Sequence, residues 1–128
     1  MQDRPHAAEL AEAVREFIET EVLPGIDEPR LRFRVLVAAN GLGILERELR
    51  QGAPLVRREV ESLGRLLGRA DPAPDDVEEL RRRAGDLNRE LVRRIRAGDP
   101  PEGTLAHLLA TVADKLRVAS PRYLERYR

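Results

Sequence analysis

The chain has 128 residues, contains no cysteine, and carries 23 basic and 23 acidic side chains, so its formal net charge is zero. This length suits a single domain over residues 1–128, and the absence of thiols excludes disulfides, cysteine-bound metals and thiol catalysis. Because the charges balance, no long-range field attracts nucleic acid, and a nucleic-acid partner is not expected.

The first predicted helix begins near Pro5 and ends before Pro24 and Gly25. Its broad apolar face, at the spacings of a helix, contains Ala7, Leu10, Ala11, Val14, Phe17, Ile18 and Val22. Asp27 is the predicted N-cap of the next helix, and Pro29 lies in its first turn, where proline is tolerated.

The second predicted helix, residues 31–50, is the most apolar segment of the chain and the predicted centre of the fold. One stripe along it consists of Leu31, Val35, Ala38, Leu42, Leu45 and Leu49, and a second consists of Phe33, Val37 and Ile44. A helix that is apolar on most sides is usually buried in a bundle. We therefore expect the other helices, each with one apolar face, to pack around residues 31–49.

A third helix is predicted from Pro54 to Gly68, because Gly52 favours the end of the helix before it. Proline is also well placed in the first turn of a helix. The sequence therefore predicts a break between the second and third helices.

Residues 70–76 form the clearest loop, and a fourth helix is predicted over residues 77–97. The fifth helix has the apolar face Leu105, Leu108, Leu109, Val112 and Leu116, and a short last helix starts at Pro121. No window alternates as a strand would. The prediction is an all-α, single-domain up-and-down bundle of five helices plus a short C-terminal helix, since short connections favour antiparallel neighbours.

Asn40 and Gly43 are the candidate pocket or register residues of the second helix. A buried amide must find hydrogen-bond partners or cost about 1–3 kcal/mol. Asn40 therefore fixes the helix register or presents its amide to a ligand, unless the buried faces are assigned wrongly and it is exposed. Gly43 costs about 1 kcal/mol in a helix, which favours close approach of a second helix or room for an elongated ligand.

His107, the third candidate pocket or register residue, lies beside the apolar face of the fifth helix. Asp114 is two turns away, about 10 Å in rise, which is too far for a direct hydrogen bond. The chain has no metal-ligand spacing such as HxxxH and no phosphate-binding, nucleophile-elbow or metalloprotease motif. We predict no catalytic, cofactor-binding or metal-binding residue and expect no cofactor.

The N-terminal residues lack the apolar core of a signal peptide. The longest uncharged, largely apolar run, residues 35–45, is about half the roughly 20 residues of a membrane-spanning helix. We therefore expect a soluble, cytoplasmic protein with no membrane partner.

Residues 4–24 and 31–52 resemble an all-helical bacterial domain of unknown function. The resemblance is carried by Pro5, Glu9, Leu10, Val14 and Phe17, and then by Val37, Ala38, Ala39, Asn40, Leu42, Ile44, Arg47, Glu48 and Leu49. That domain accompanies aminoglycoside-phosphotransferase-like kinases and acyl-CoA dehydrogenases, and is sometimes fused to the kinase-like protein. The resemblance implies an accessory role beside such an enzyme and assigns no catalytic residue.

Without a catalytic motif, we expect a non-enzymatic helical accessory or interaction module. Its expected partner is a kinase-like protein, an acyl-CoA dehydrogenase, or further copies of itself in a homo-oligomer. The alternative is a bundle that binds or converts a small molecule, an acyl-CoA or a nucleotide, in a core pocket near Asn40.

Overall fold

The structure, a computed structural model, describes residues 3–69 and 71–126 of the chain. The α-helices in this part are α1 (Ala7–Phe17), α2 (Pro29–Leu67), α3 (Val77–Arg96), α4 (Thr104–Ala119) and α5 (Pro121–Arg126). A π-helical turn, Ile18–Val22, and a 3-10 turn, Leu23–Gly25, connect α1 to α2. No strand occurs among these residues, and the predicted all-α fold class is confirmed.

The longest element is α2, whose 39 residues span about 58 Å at 1.5 Å per residue. Glu28 caps it instead of the predicted Asp27, because its carboxylate accepts hydrogen bonds from the backbone N–H groups of Arg30 and Leu31 at 3.0 and 2.6 Å. Gly68 ends the helix in the left-handed conformation, at φ 70°. A side chain at that φ would be strained, so glycine suits this position.

The predicted break at Gly52 does not form, and the second and third predicted helices are one. Pro54 lies inside α2, where it cannot donate the usual backbone hydrogen bond. On one side of it, Nε of Arg47 donates to a backbone carbonyl of α4 at 2.7 Å, and on the other, Nε of Arg58 donates to an α4 carboxylate at 2.9 Å. These tertiary contacts hold the two halves of α2 in line and outweigh the local propensity to break.

The helices beside α2 do not all alternate in direction. α1 is antiparallel to α2. Glu12 of α1 pairs with Arg50 of α2 at 3.1 Å, whereas Leu23, after α1, accepts a hydrogen bond from Arg32 near the start of α2. α3 runs in the same direction as α2, because its contacts advance from Glu48 near its start to Arg69 near its end. The up-and-down order predicted from short connections therefore does not hold for α2 and α3.

The parallel pairing of α3 depends on the loop before it, which folds back along α2. Arg57 of α2 donates to the carbonyl of Pro74 at 3.0 Å, and Arg83 of α3 donates to the carbonyl of Pro72 at 2.6 Å. Ala73 is partly buried in the small core between the two helices, which consists of Val60, Leu80 and Ala84 with Val56 and Leu87. Residue 70 of the predicted loop lies outside the described residues.

Within the described ranges, α1, α3 and α4 each pack against α2 and not against one another. α2 is therefore central, but its first half is not enclosed: among residues 31–49 only Ala39 and Gly43 are buried. Phe33 is 66% exposed and Leu31 48% exposed. The prediction that this segment is buried on most sides is wrong, because α1 packs on the face of small residues and leaves both apolar stripes open. None of the helices described here is long and apolar enough to cross a membrane.

Candidate interaction surfaces

α1 crosses α2 at small side chains. Ala11 of α1 and Ala39 of α2 are buried, and Gly43 lies one turn further along the same face of α2. A β-carbon at Gly43 would lie 3.6 Å from Cδ of Arg15, so the α1 side chain reaches this glycine directly. Arg15 also donates to Glu46 at 3.2 Å. Small residues and ion pairs, not the apolar stripes, therefore join the two helices.

The apolar side chains left free by this crossing form what we term the hairpin face. Its members are Leu10, Val14 and Phe17 of α1 and Leu31, Val35, Ala38, Leu42, Leu45 and Leu49 of α2. Arg15 and Glu19 of α1 line a groove beside Asn40 of α2, on one side of the helix pair. The apolar flank of α1 lies on the other side, where α2 presents the first of its two stripes. Six of these side chains are 47–53% exposed, so the face is open along its length.

A second open apolar surface lies on α4, and we term it the α4 ridge. It consists of Leu105, Leu108, Leu109 and Val112, which are 71%, 38%, 65% and 53% exposed. His107 and Val118, on the opposite side of α4, are buried. The apolar face predicted to pack on the centre of the bundle therefore points outward, and α4 contacts α2 through a more polar face.

Charged pairs provide much of the contact between α4 and α2. Arg58 donates through Nε and Nη2 to the two carboxylate oxygens of Asp114, at 2.9 and 2.6 Å, and Arg117 bonds to the same carboxylate. The hydrogen bond from Arg58 and the negative charge of Asp114 raise the pKa of the Arg58 guanidinium. A bidentate pair fixes the distance and orientation of the groups it joins, so it holds α4 in register on α2.

His107 is the one buried polar residue among the described core positions, at 6% exposure. Its Nδ1 lies 2.6 Å from the hydroxyl oxygen of Ser62 in α2, and its Nε2 is buried without a hydrogen-bond partner in the described part of the chain. Burial lowers the pKa of His107, and the charge of Glu59 opposes this effect only in part. The ring is therefore held neutral inside the interface of two helices.

The Ser62–His107 pair lacks the other parts of a nucleophilic site. In such sites a third group orients the base through its second nitrogen, and here that nitrogen has no partner. Ser62 also lies well inside α2, where the backbone N–H groups bond within the helix and cannot form an oxyanion hole. The arrangement suits a structural role, in which the histidine sets how α4 sits on α2.

Asn40 is exposed, so the predicted core pocket near it is an open groove instead. The groove has a volume of about 700 Å³, and Asn40 and Gly43 both line it together with Arg47 and Arg122. His107 belongs to a different part of the molecule. Within residues 3–69 and 71–126, no cluster of His, Asp or Glu side chains is arranged to hold a metal ion.

Residues 24–123 match the domain of unknown function DUF6285. The chain belongs to this family. The match contains residues 31–52, the second of the two stretches that carry the resemblance described above, and leaves nearly all of the first outside it. No curated protein and no solved structure shows detectable similarity to the chain.

Two polar residues that position helices in this DUF6285 domain were not predicted from its sequence. Oε1 of Glu59 accepts a hydrogen bond from Asn88 of α3 at 3.0 Å and pairs with Lys115 of α4 at 3.3 Å. One carboxylate of α2 thus contacts both helices that flank it. Ser62, which bonds to His107 of α4, is the second unpredicted residue. The only sequence signal for either residue is that a polar side chain interrupts a run of apolar positions on one face of α2.

Proposed function

We propose that this DUF6285 domain is a non-enzymatic interaction module that inserts the α4 ridge into an apolar groove of a protein partner. The observation that carries the proposal is the exposure of four large side chains at positions i, i+3, i+4 and i+7 of α4. Amphipathic helices that dock into grooves use this spacing. Contiguous apolar surface on a folded protein commonly marks an interaction site.

The attachment of α4 supports this role. Because Asp114, Lys115 and His107 hold α4 on α2, the helix keeps its place without burying its leucines. The ridge is then available in a preformed helix, which lowers the entropic cost of docking.

For the identity of the partner, support comes from the resemblance of residues 4–24 and 31–52. We propose a kinase-like protein of the aminoglycoside-phosphotransferase type or an acyl-CoA dehydrogenase, with the DUF6285 domain as its accessory subunit.

The test is co-purification of the tagged domain with each candidate encoded beside it, followed by titration. We expect a complex with a micromolar or tighter Kd, weakened at least tenfold by Leu109→Glu, which places a charge in the centre of the ridge. Val92→Glu is the matched control, since Val92 is an exposed apolar residue of α3 outside the ridge. No complex at micromolar concentration with either class of partner would contradict the partner assignment, and equal loss in both variants would contradict the ridge.

The groove beside Asn40 favours a second candidate function, the binding of an acyl-CoA or a nucleotide. Its volume lies within the usual range of ligand pockets, and Arg47 and Arg122 line it. Arg15 also lines the groove but is paired there with Glu19 and Glu46, each at 3.2 Å. Arg122 makes no hydrogen bond or ion pair with another described residue.

A thermal-shift titration with acyl-CoA thioesters and nucleotides tests this second candidate. A ligand at 100 times its Kd should stabilise the fold by about 2.7 kcal/mol, and Arg122→Ala should abolish the shift. Arg126→Ala, at an exposed arginine outside the groove, is the control. The absence of a shift with every ligand would reject the candidate.

A further inference from the structure

We infer that the hairpin face is a homodimer interface, at which α1 and the first half of α2 pack against the same two helices of a second copy. This inference stands apart from the docking of the α4 ridge, because it concerns a different face of the molecule. It rests on the repeat of the apolar residues, the exposed area of the chain and the charge of the face.

The repeat of the α2 stripe is that of a helix seam. Its members follow one another at spacings of 4, 3, 4, 3 and 4, the heptad pattern by which long helices pack side by side. Leu10, Val14 and Phe17 of α1 continue the same spacing on the neighbouring helix. The α2 stripe and the apolar residues of α1 both stay uncovered, because the two helices contact each other around Ala39 and Gly43 instead. Two such antiparallel helix pairs, placed face to face, form a four-helix bundle.

The exposed area of the chain is too large for a compact monomer. Its accessible surface is 9317 Å², whereas a folded monomer of 14.5 kDa is expected to expose about 6,900 Å². An excess of about 2,400 Å² is in keeping with an arrangement in which α1, α3 and α4 pack against α2 alone. A stable interface buries about 800 Å² per partner, and obligate homodimers bury about 1,000–2,500 Å². The chain therefore has enough uncovered surface for a homodimer interface and for the α4 ridge.

The charge of the face meets a condition that two-fold symmetry sets. In a two-fold dimer both copies use the same surface, so a charged patch on the symmetry axis would face its own sign. None of the nine residues of the hairpin face is charged. The chain as a whole has no net charge, so two copies do not repel at a distance.

Sedimentation equilibrium of the full chain between 1 and 100 µM tests the inference. We expect a dimer of the 14.5 kDa chain. Leu45→Glu should convert it to a folded monomer, because the charge would be buried without a partner. Leu45→Ala, which keeps the helix and removes only apolar area, should raise the Kd at least about tenfold, since each position occurs twice in the interface.

Phe33→Glu is the matched control on the same helix, because Phe33 is exposed but belongs to the second stripe of α2. It should leave the dimer intact, as should Leu109→Glu in the α4 ridge. A wild-type chain that stays monomeric at 100 µM would overturn the inference, and so would equal dissociation by Phe33→Glu and Leu45→Glu. Loss of the enzyme partner with retention of the dimer, or the reverse, separates this inference from the proposed function. The far-ultraviolet circular dichroism of each variant establishes that it is folded.

Discussion

Nδ1 of His107 lies 2.6 Å from the hydroxyl oxygen of Ser62, and the two residues are 45 positions apart in the chain. This hydrogen bond joins the buried side of α4 to α2. Because the other ring nitrogen has no partner among the described residues, the imidazole depends on Ser62 for its one bond. The pair therefore behaves as a unit, in which the buried imidazole is costly to keep without Ser62.

Removing one member of this pair should cost more than removing both. Ser62→Ala leaves the buried ring without its bond and should lower the free energy of unfolding by about 1–3 kcal/mol. Ser62→Ala combined with His107→Leu replaces two polar groups by apolar ones and should be closer to wild type. Urea denaturation of the two single variants and the double variant measures the coupling. Strictly additive losses would show that the two side chains do not interact.

The stability of the fold should fall in mild acid because of His107. Burial lowers the pKa of His107 in the folded state, whereas in the unfolded chain it is near 6.5. Below about pH 6.5 the unfolded state thus binds the proton more readily, and the free energy of unfolding decreases as the pH falls through the window between the two pKa values. One such group contributes a slope of at most about 1.4 kcal/mol per pH unit.

Denaturation curves of wild type and His107→Gln between pH 7.5 and 5 check this dependence. The variant should lose the part of the slope that begins near pH 6.5. His6→Gln, at the exposed second histidine, should retain it. The same slope in wild type and His107→Gln would mean that other groups cause the loss.

The glycines of α2 should differ in how they accept a side chain. A β-carbon at Gly41 has open space around it, so Gly41→Ala should raise stability by about 1 kcal/mol. At Gly43 the nearest atom is Nη1 of Arg47 at 3.4 Å, so Gly43→Ala should gain less. Gly43→Leu should instead cost about 1–3 kcal/mol, because the longer side chain meets α1. Thermal unfolding of the three variants gives the order, and a tolerated leucine would mean that α1 does not cross here.

Replacement of Pro54 should stabilise the protein. An interior proline removes a backbone hydrogen bond and crowds the preceding turn, so Pro54→Ala should raise the free energy of unfolding by up to about 3 kcal/mol. Pro29→Ala is the control, since Pro29 occupies the first turn of α2, where proline has no such cost. If Pro54→Ala lowered stability, the restriction that proline places on the unfolded chain would outweigh its cost inside α2.

Asn40→Ala should leave stability within about 0.5 kcal/mol of wild type, because the side chain is exposed. Ala39→Asn moves the amide by one position to a fully buried site and should be clearly destabilising. Melting temperatures of the two variants distinguish these positions. A large loss in Asn40→Ala would restore the sequence-based prediction that Asn40 is a buried register residue.

The sequence predicts where most helices lie along the chain, but it does not predict which faces of those helices pack together. The stripes of residues 31–49 show that the helix has apolar faces, but periodicity does not reveal what covers them. A seam that faces the core of one chain and a seam that faces a second chain have the same spacing. For this reason the pattern predicts a buried Asn40, whereas the structure leaves it exposed.

Other differences arose from contacts between distant segments. The break predicted at Gly52 follows from local propensity, which the bonds of Arg47 and Arg58 to α4 override. The hydrogen bond between Ser62 and His107 depends on how α4 lies against α2. The local pattern of the chain does not show which residue of α4 each of these side chains contacts.

The arrangement of α1, α3 and α4 on a single helix also determines how substitutions combine. Because the backbones of these three helices do not approach one another in the described ranges, most changes confined to two of them should have additive effects. Changes in α2, by contrast, propagate to all three. Glu59 is the exception within this scheme, since its carboxylate contacts Asn88 of α3 and Lys115 of α4 at once. Epistasis between α3 and α4 should therefore concentrate at this one side chain.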